Sequence, residues 1–271
     1  MKSGFLLLLF LLLSMSGFTQ TGTEGYYKDI FMDGGVDLYN KTYLPAADEL
    51  GLTIEYIATE DETLQNERII GNEYDANGIL LYPDGTPRFR LLHTNGGSAS
   101  THGTSLDDQG RINIRTFYYY GGSYTGVCAG AFISSIHYQT SGINPSYYHI
   151  WPGRTKGTGT LNIYTGHFIE QGSPLLQYNN FGNDMYIPHI YHNGGCYANE
   201  DIDFPPGTEI LLRYDKPGPG PMNHKVSCWA YKENDESGRL VDIGSHPEDV
   251  TSGEGLDLMK AMLQYAIGWT G

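Results

Sequence analysis

Gly121-Gly122-Ser123-Tyr124-Thr125-Gly126-Val127-Cys128-Ala129-Gly130-Ala131-Phe132 carries a strand into a helix through a cysteine flanked by glycines. Within it, Gly126-Val127-Cys128-Ala129-Gly130 is a Gly-x-Cys-x-Gly pattern, the cysteine form of a nucleophile elbow. The turn must be sharp, so glycines two residues to either side let strand, turn and helix come together. The first N–H groups of the helix then face the sulfur and favour thiolate. The Ala129 N–H can donate to an oxyanion. A second donor must come from another loop, and Asn95-Gly96-Gly97, which closes an earlier strand, is the candidate. Whether Gly96 or Gly97 donates stays open. A buried structural cysteine in a Gly-rich turn would carry the same pattern.

Working outward, hydrophobic periodicity predicts an α/β layered fold around a mainly parallel sheet. Upstream lie a strand at Asp29–Met32 ended by Asp33-Gly34-Gly35, a helix near Tyr43–Leu50 and a strand at Leu52–Ile57. A hairpin is expected from Ile79–Tyr82 through Pro83-Asp84-Gly85 to Arg88–His93, and a helix over Gly110–Tyr119. The span from His149 to Pro188 resists assignment. Strands are expected at Tyr186–His192, Thr208–Tyr214, Lys225–Tyr231 and Arg239–Ile243. The helix Gly255–Ile267 repeats Leu256, Met259, Leu263 and Ile267 at helical spacing. Pro217–Pro221 is a stiff loop too short to separate domains, so residues 21–271 read as a single domain.

The N-terminus has its own grammar. Lys2 precedes nine apolar residues, Phe5 to Leu13, and then the small residues Ser14, Ser16 and Gly17. That is the pattern of a secretory signal peptide, expected to span residues 1–20. The run is too short for a spanning helix, which takes about 20 residues. A secreted or periplasmic protein with no membrane anchor after cleavage is expected. Asn40-Lys41-Thr42 is a glycosylation acceptor pattern.

Composition removes partner classes. Lys+Arg number 16 against 31 Asp+Glu, a formal net charge of −15. Phosphate backbones need a basic footprint, so nucleic acid is excluded as a partner, and anionic lipid surfaces are disfavoured. Charged residues make up 17% of the chain, against about 25% in ordinary globular domains, and Gly (36) and Tyr (22) fill the gap. Three cysteines in an exported chain leave one over. Cys196 and Cys228 sit near predicted strands without catalytic context and could form a disulfide.

A thiol nucleophile needs a base, and the base needs an orienting group. His246 follows the strand Arg239–Ile243 in Gly244-Ser245-His246-Pro247-Glu248. Strand ends are where sheet enzymes display catalytic groups, and Glu248 can fold back onto the imidazole. A surface turn is the bland alternative. His93, His137, His149 and His224 sit in ordinary contexts. His189 and His192 lack a third ligand at useful spacing, so no metal is expected. No cofactor is expected either.

The elbow followed far downstream by His246-Pro247-Glu248 resembles the class I glutamine amidotransferase superfamily. Ile114-Arg115-Thr116-Phe117 with the Gly121–Phe132 stretch, Gly244–Glu248 and the strand ending in Asp33-Gly34-Gly35 is similar to the amidotransferase-like N-terminal domain of biotin-protein ligases. The resemblance covers about residues 29 to 265. It implies a flavodoxin-like, three-layer α/β sandwich, with Cys128 as nucleophile, His246 as base and Glu248 as its orienter. Gly153-Arg154-Thr155-Lys156-Gly157 does not match the biotinoyl-adenylate loop of those ligases, and biotin transfer is not expected. The expected activity is cysteine-dependent hydrolysis of a small-molecule or peptide-like amide. A non-catalytic module that binds a small ligand in the same cleft is the alternative.

Overall fold

The computed structural model describes residues 25–39, 43–56, 62–215 and 222–269. The expected signal peptide and the Asn40-Lys41-Thr42 pattern lie outside the described residues. The first strand, β1 (Lys28–Asp33), is followed by α1 (Pro45–Glu49), β2 (Ile54–Tyr56) and α2 (Glu62–Ile70). Then come β3 (Phe89–Thr94), α3 (Ala99–Ser105), α4 (Asp107–Tyr119), β4 (Ser123–Val127) and α5 (Ala129–Ser134). The second half is mostly strand: β5 (Thr155–Gly157), β6 (Ile163–Ile169), β7 (Tyr186–His192), β8 (Cys196–Ala198), β9 (Glu209–Asp215), β10 (Val226–Tyr231) and β11 (Leu240–Ile243). Helix α6 (Glu254–Ile267) closes the described chain.

These strands form one sheet in the order β2-β1-β3-β4-β11-β10-β9-β6-β7, with β8 joining β10 and β5 joining β8. The sheet is mixed rather than mainly parallel. From β2 through β11 neighbouring strands run parallel. From β11 to β7 every pairing is antiparallel. The parallel half is buried on both faces, as the fully buried β4 and β11 show. Alternation along each strand sorts its side chains between two cores. Ile30, Met32, Leu91, Val127, Val241 and Ile243 pack with α1 and α6 on one face. Phe31, Phe89, Leu92, Tyr124 and Leu240 pack with α4 and α5 on the other.

One expectation is corrected by this packing. The segment Ile79–Tyr82 is not a strand of a hairpin. It makes an isolated antiparallel bridge between Leu81 and Pro87, with Tyr82 N–H donating to Thr86 O at 2.8 Å. β3 is already paired in parallel on both sides, so it has no free edge for an antiparallel partner. Helix α6 is buried beyond the predicted stripe: Leu258, Ala261, Met262 and Ala266 are covered as well as Leu256, Met259 and Leu263. It lies against β3, β4, β7 and β11 and spans the seam between the two halves of the sheet.

Replacing Leu258, which is fully buried in that seam, with Ala should cost about 2–5 kcal/mol through lost transfer energy and a residual cavity. Urea unfolding of the two proteins measures it. A loss below about 1 kcal/mol would mean that α6 does not brace the sheet.

Candidate functional site

The parallel strands deliver their carboxyl ends to one edge of the sheet. In register, Thr94 lies opposite Gly126, and Val127 opposite Ile243. Cys128 is therefore one residue past the edge on β4, Gly96 two past it on β3, and His246 three past it on β11.

Cys128 sits at the apex between β4 and α5 with φ 52° and ψ −103°, a conformation L-residues rarely adopt. The flanking glycines are set by contact. A Cβ on Gly126 would lie 2.5 Å from the Gly130 carbonyl carbon and 2.6 Å from Asp242 Oδ1. A Cβ on Gly130 would lie 2.2 Å from Thr94 O. Backbone bonds pin the apex: Cys128 N–H donates to Ile243 O at 3.0 Å and Gly130 N–H to Asn95 O at 3.2 Å. Helix α5 is only six residues long. It offers the sulfur the free N–H groups of its first turn rather than a long macrodipole.

The imidazole of His246 is hydrogen-bonded to Cys128, and its Nδ1 lies 2.9 Å from Glu248 Oε1. The three side chains are almost enclosed, at 5%, 7% and 1% exposure for Cys128, His246 and Glu248. Tyr191 flanks His246: its carbonyl accepts the His246 backbone N–H at 2.9 Å, and its ring lies 5.5 Å from the imidazole. Burial opposes the imidazolium, but the hydrogen bonds and charges of Cys128 and Glu248 outweigh it and push the His246 pKa up to about 11.

Gly96, not Gly97, lies beside the pair. A Cβ on Gly96 would be 2.7 Å from His246 Cε1 and 3.4 Å from Cys128 Cβ. Gly97, at φ 138°, faces away, where a Cβ would be 2.0 Å from Asp37 O. Ala129 is the first residue of α5, immediately after the thiol.

Other neighbours carried no signal in the sequence. The Asn193 carbonyl oxygen lies 3.6 Å from Cys128 Sγ, so the Asn193-Gly194-Gly195 loop lies over the sulfur. Asp33 at the end of β1 is fully buried with His102, whose Nε2 is 2.9 Å from its Oδ2, and with Tyr148 at 3.2 Å. His192 is buried between Thr158 and Ser245, whereas His189 is exposed. Among the described residues no group of three His, Cys, Asp or Glu is placed to hold a metal ion.

All three cysteines are free thiols. The possible Cys196–Cys228 bridge does not form, because the two side chains belong to cores on opposite faces of the sheet. Burial pushes both thiols well above the usual range.

Comparison with known proteins agrees with this architecture. A putative GMP synthase subunit from Thermoplasma acidophilum superposes with a TM-score of 0.52 at 13% identity, covering 89% of this chain and 95% of that one. PurLQS from Thermotoga maritima gives a TM-score of 0.53 at 14% identity, covering 88% and 99%. At these identities the likeness concerns the fold alone, which is the α/β fold of glutamine amidotransferase-like proteins. The family profile described as "Biotin-protein ligase, N terminal" matches residues 86–261, and the chain belongs to that family. No curated protein matches the chain.

Thiol titration of denatured, unreduced protein should find three reactive groups; one group would restore the Cys196–Cys228 bridge. His246 should stay protonated well above pH 7 in an NMR titration. Its folded pKa is raised above 6.5, so its charged form contributes stability that is fully present below that value and is lost as the pH rises through about 11. Glu248→Gln removes one of the supporting charges and should move the His246 titration to lower pH. An unchanged titration would show that Glu248 does not hold the imidazolium.

Proposed function

We propose that this chain is an exported, cysteine-dependent hydrolase of amide or peptide-like bonds. The observation that carries the reading is the imidazole of His246 hydrogen-bonded on one side to Cys128 and on the other to Glu248. The run Phe5–Leu13 supports export, and the two cores on opposite faces of one sheet support reading the described residues as one flavodoxin-like, three-layer domain.

In this mechanism the Cys128 thiolate attacks the carbonyl carbon of the substrate amide. The Ala129 and Gly96 amides steady the oxyanion. His246, protonated in the resting pair, gives its proton to the leaving nitrogen as the C–N bond breaks and a thioester remains. Neutral His246 then takes a proton from water as it attacks the thioester, and the acid leaves as Cys128 regains its resting form. The net change is amide plus water to carboxylic acid plus amine. Glu248 fixes the tautomer and orientation of His246 throughout.

One observation favours a second reading. The nearly closed thiol under the Asn193 carbonyl suits a module that binds a ligand at the same edge without turnover. Alkylation and turnover separate the two. On the hydrolase reading, iodoacetamide modifies Cys128 rapidly at neutral pH, and His246→Asn slows both alkylation and amide cleavage, the latter by roughly 10²–10⁴. Cys128→Ala abolishes turnover. Slow alkylation of native protein, with no cleavage across a panel of peptide amides, would leave the binding module.

A further inference from the structure

Beside His246 the surface opens into a cleft of about 290 Å³ lined by Tyr164, His189, Tyr191, His246, Asp249 and Val250. Sheet register builds its floor. Tyr164 of β6 is the cross-strand partner of Tyr191 of β7, and Tyr191 is bridged in turn to His246. Ring centroids step 5.7 Å from Tyr164 to Tyr191 and 5.5 Å from Tyr191 to His246. A continuous aromatic row thus leads from solvent to the imidazole that touches the thiol. Tyr164 stays 68% exposed at the outer end.

Outside its two histidines, His189 and His246, the cleft presents aromatic faces and one carboxylate. Aromatic faces carry negative quadrupole density, and the exposed Asp249 adds a carboxylate at the rim. No lysine or arginine lines it. The imidazolium of His246 is committed to Cys128 and Glu248. The chain as a whole carries −15, which repels anionic ligands at a distance. The free α-carboxylate of an amino acid such as glutamine would find no lysine or arginine there to pair with.

We propose that this cleft receives a cationic group, a primary ammonium or guanidinium on an aliphatic stem, that flanks the scissile amide. The stem lies along the Tyr164–Tyr191 row, the charge sits over the ring faces, and Asp249 faces it at the rim. The substrate class is then a basic peptide or polyamine-like amide rather than free glutamine. This rests on the hydrolase reading for the bond that is broken, but the recognition itself does not need turnover.

The test measures the two separately. Isothermal titration of the Cys128→Ala protein compares Nα-acetyl-lysinamide with Nα-acetyl-norleucinamide, which keeps the four-carbon stem and lacks the ammonium, and with the α-amide of Nα-acetyl-glutamic acid. The lysine compound should bind about tenfold more tightly than the norleucine compound, and the glutamate compound most weakly. The doubly substituted Asp249→Asn, Tyr164→Ala protein should lose that preference. Equal binding of lysine and norleucine compounds, no binding of the lysine compound, or a preference that survives the double substitution would overturn the proposal. Peptide amides with the same three flanking residues are then offered to the unsubstituted protein. A lysine preference in binding without cleavage of any of them would sink the hydrolase reading and leave the cationic cleft standing.

Discussion

A non-glycine residue held at φ 52° and ψ −103° costs on the order of 1–3 kcal/mol, and the geometry of the site depends on Cys128 being held there. The local sequence cannot do it alone. The strain is balanced by the parallel neighbours on both sides of β4, which bind the apex through Ile243 O and Asn95 O. The same two neighbours carry the other functional groups. β11 continues into His246 and β3 into Gly96. The bonds that force the cysteine into its strained turn therefore also fix where base and amide stand relative to it. Side chains at Gly126 or Gly130 would drive Cβ atoms into backbone or into Asp242, so the elbow tolerates neither.

The polar groups packed behind this edge obey the rule that buried charge must be paired or neutralised. Asp33 and Asp242 end up on opposite sides of that rule. Burial alone would raise Asp33, but the charge and hydrogen bond of His102, with bonds from the Gly35 N–H and Tyr148, hold its carboxyl below the usual range. Among the described residues no cation pairs with Asp242 on β11. Burial pushes its carboxyl well above the usual range despite hydrogen bonds from Ser134 and Gly126. Its hydrogen bond from Ser134 ties β11 to α5. The Asp33 cluster ties the end of β1 to α3 and to the Asn95 loop, whose N–H donates to Asp33 O at 3.4 Å. The segment that presents Gly96 is thereby anchored from behind.

What the sequence disclosed follows from how local each signal is. The elbow is written in five consecutive residues, and Gly244–Glu248 in five more. Their convergence needs only that both strands be parallel neighbours, which β4 and β11 are. The antiparallel half was harder to see. Strands such as β5 and β8 span three residues each, and β6 runs through the Gly- and Tyr-rich span that resisted assignment. Their pairings join residues far apart in sequence, so alternation reveals the strands without the direction of their partners. Helices α2 and α3, rich in polar residues, gave no apolar stripe to read. The choice between Gly96 and Gly97 depends on the contact of Gly97 with Asp37, and the absence of a disulfide on which face each cysteine occupies. Both are tertiary facts.

Histidine identity alone would not have picked the base. His167 and His192 are both buried near the same half of the sheet, and burial drives their pKa values down to about 3 and about 4, with a neighbouring histidine adding to the effect in each case. They accept or donate single hydrogen bonds to Ser227, Thr158 and Ser245 as neutral rings and stay structural. His102 does have a carboxylate, but it is spent on holding Asp33. His246 differs in being placed between a carboxylate and a thiol. Its imidazolium is stabilised by both, and its proton lies where a departing amine would need it. Burial, with the charge of His246 adding to it, keeps His192 neutral. One histidine in the cluster therefore holds the mobile proton, and the neutral ring behind it supplies packing and orientation without competing for that proton.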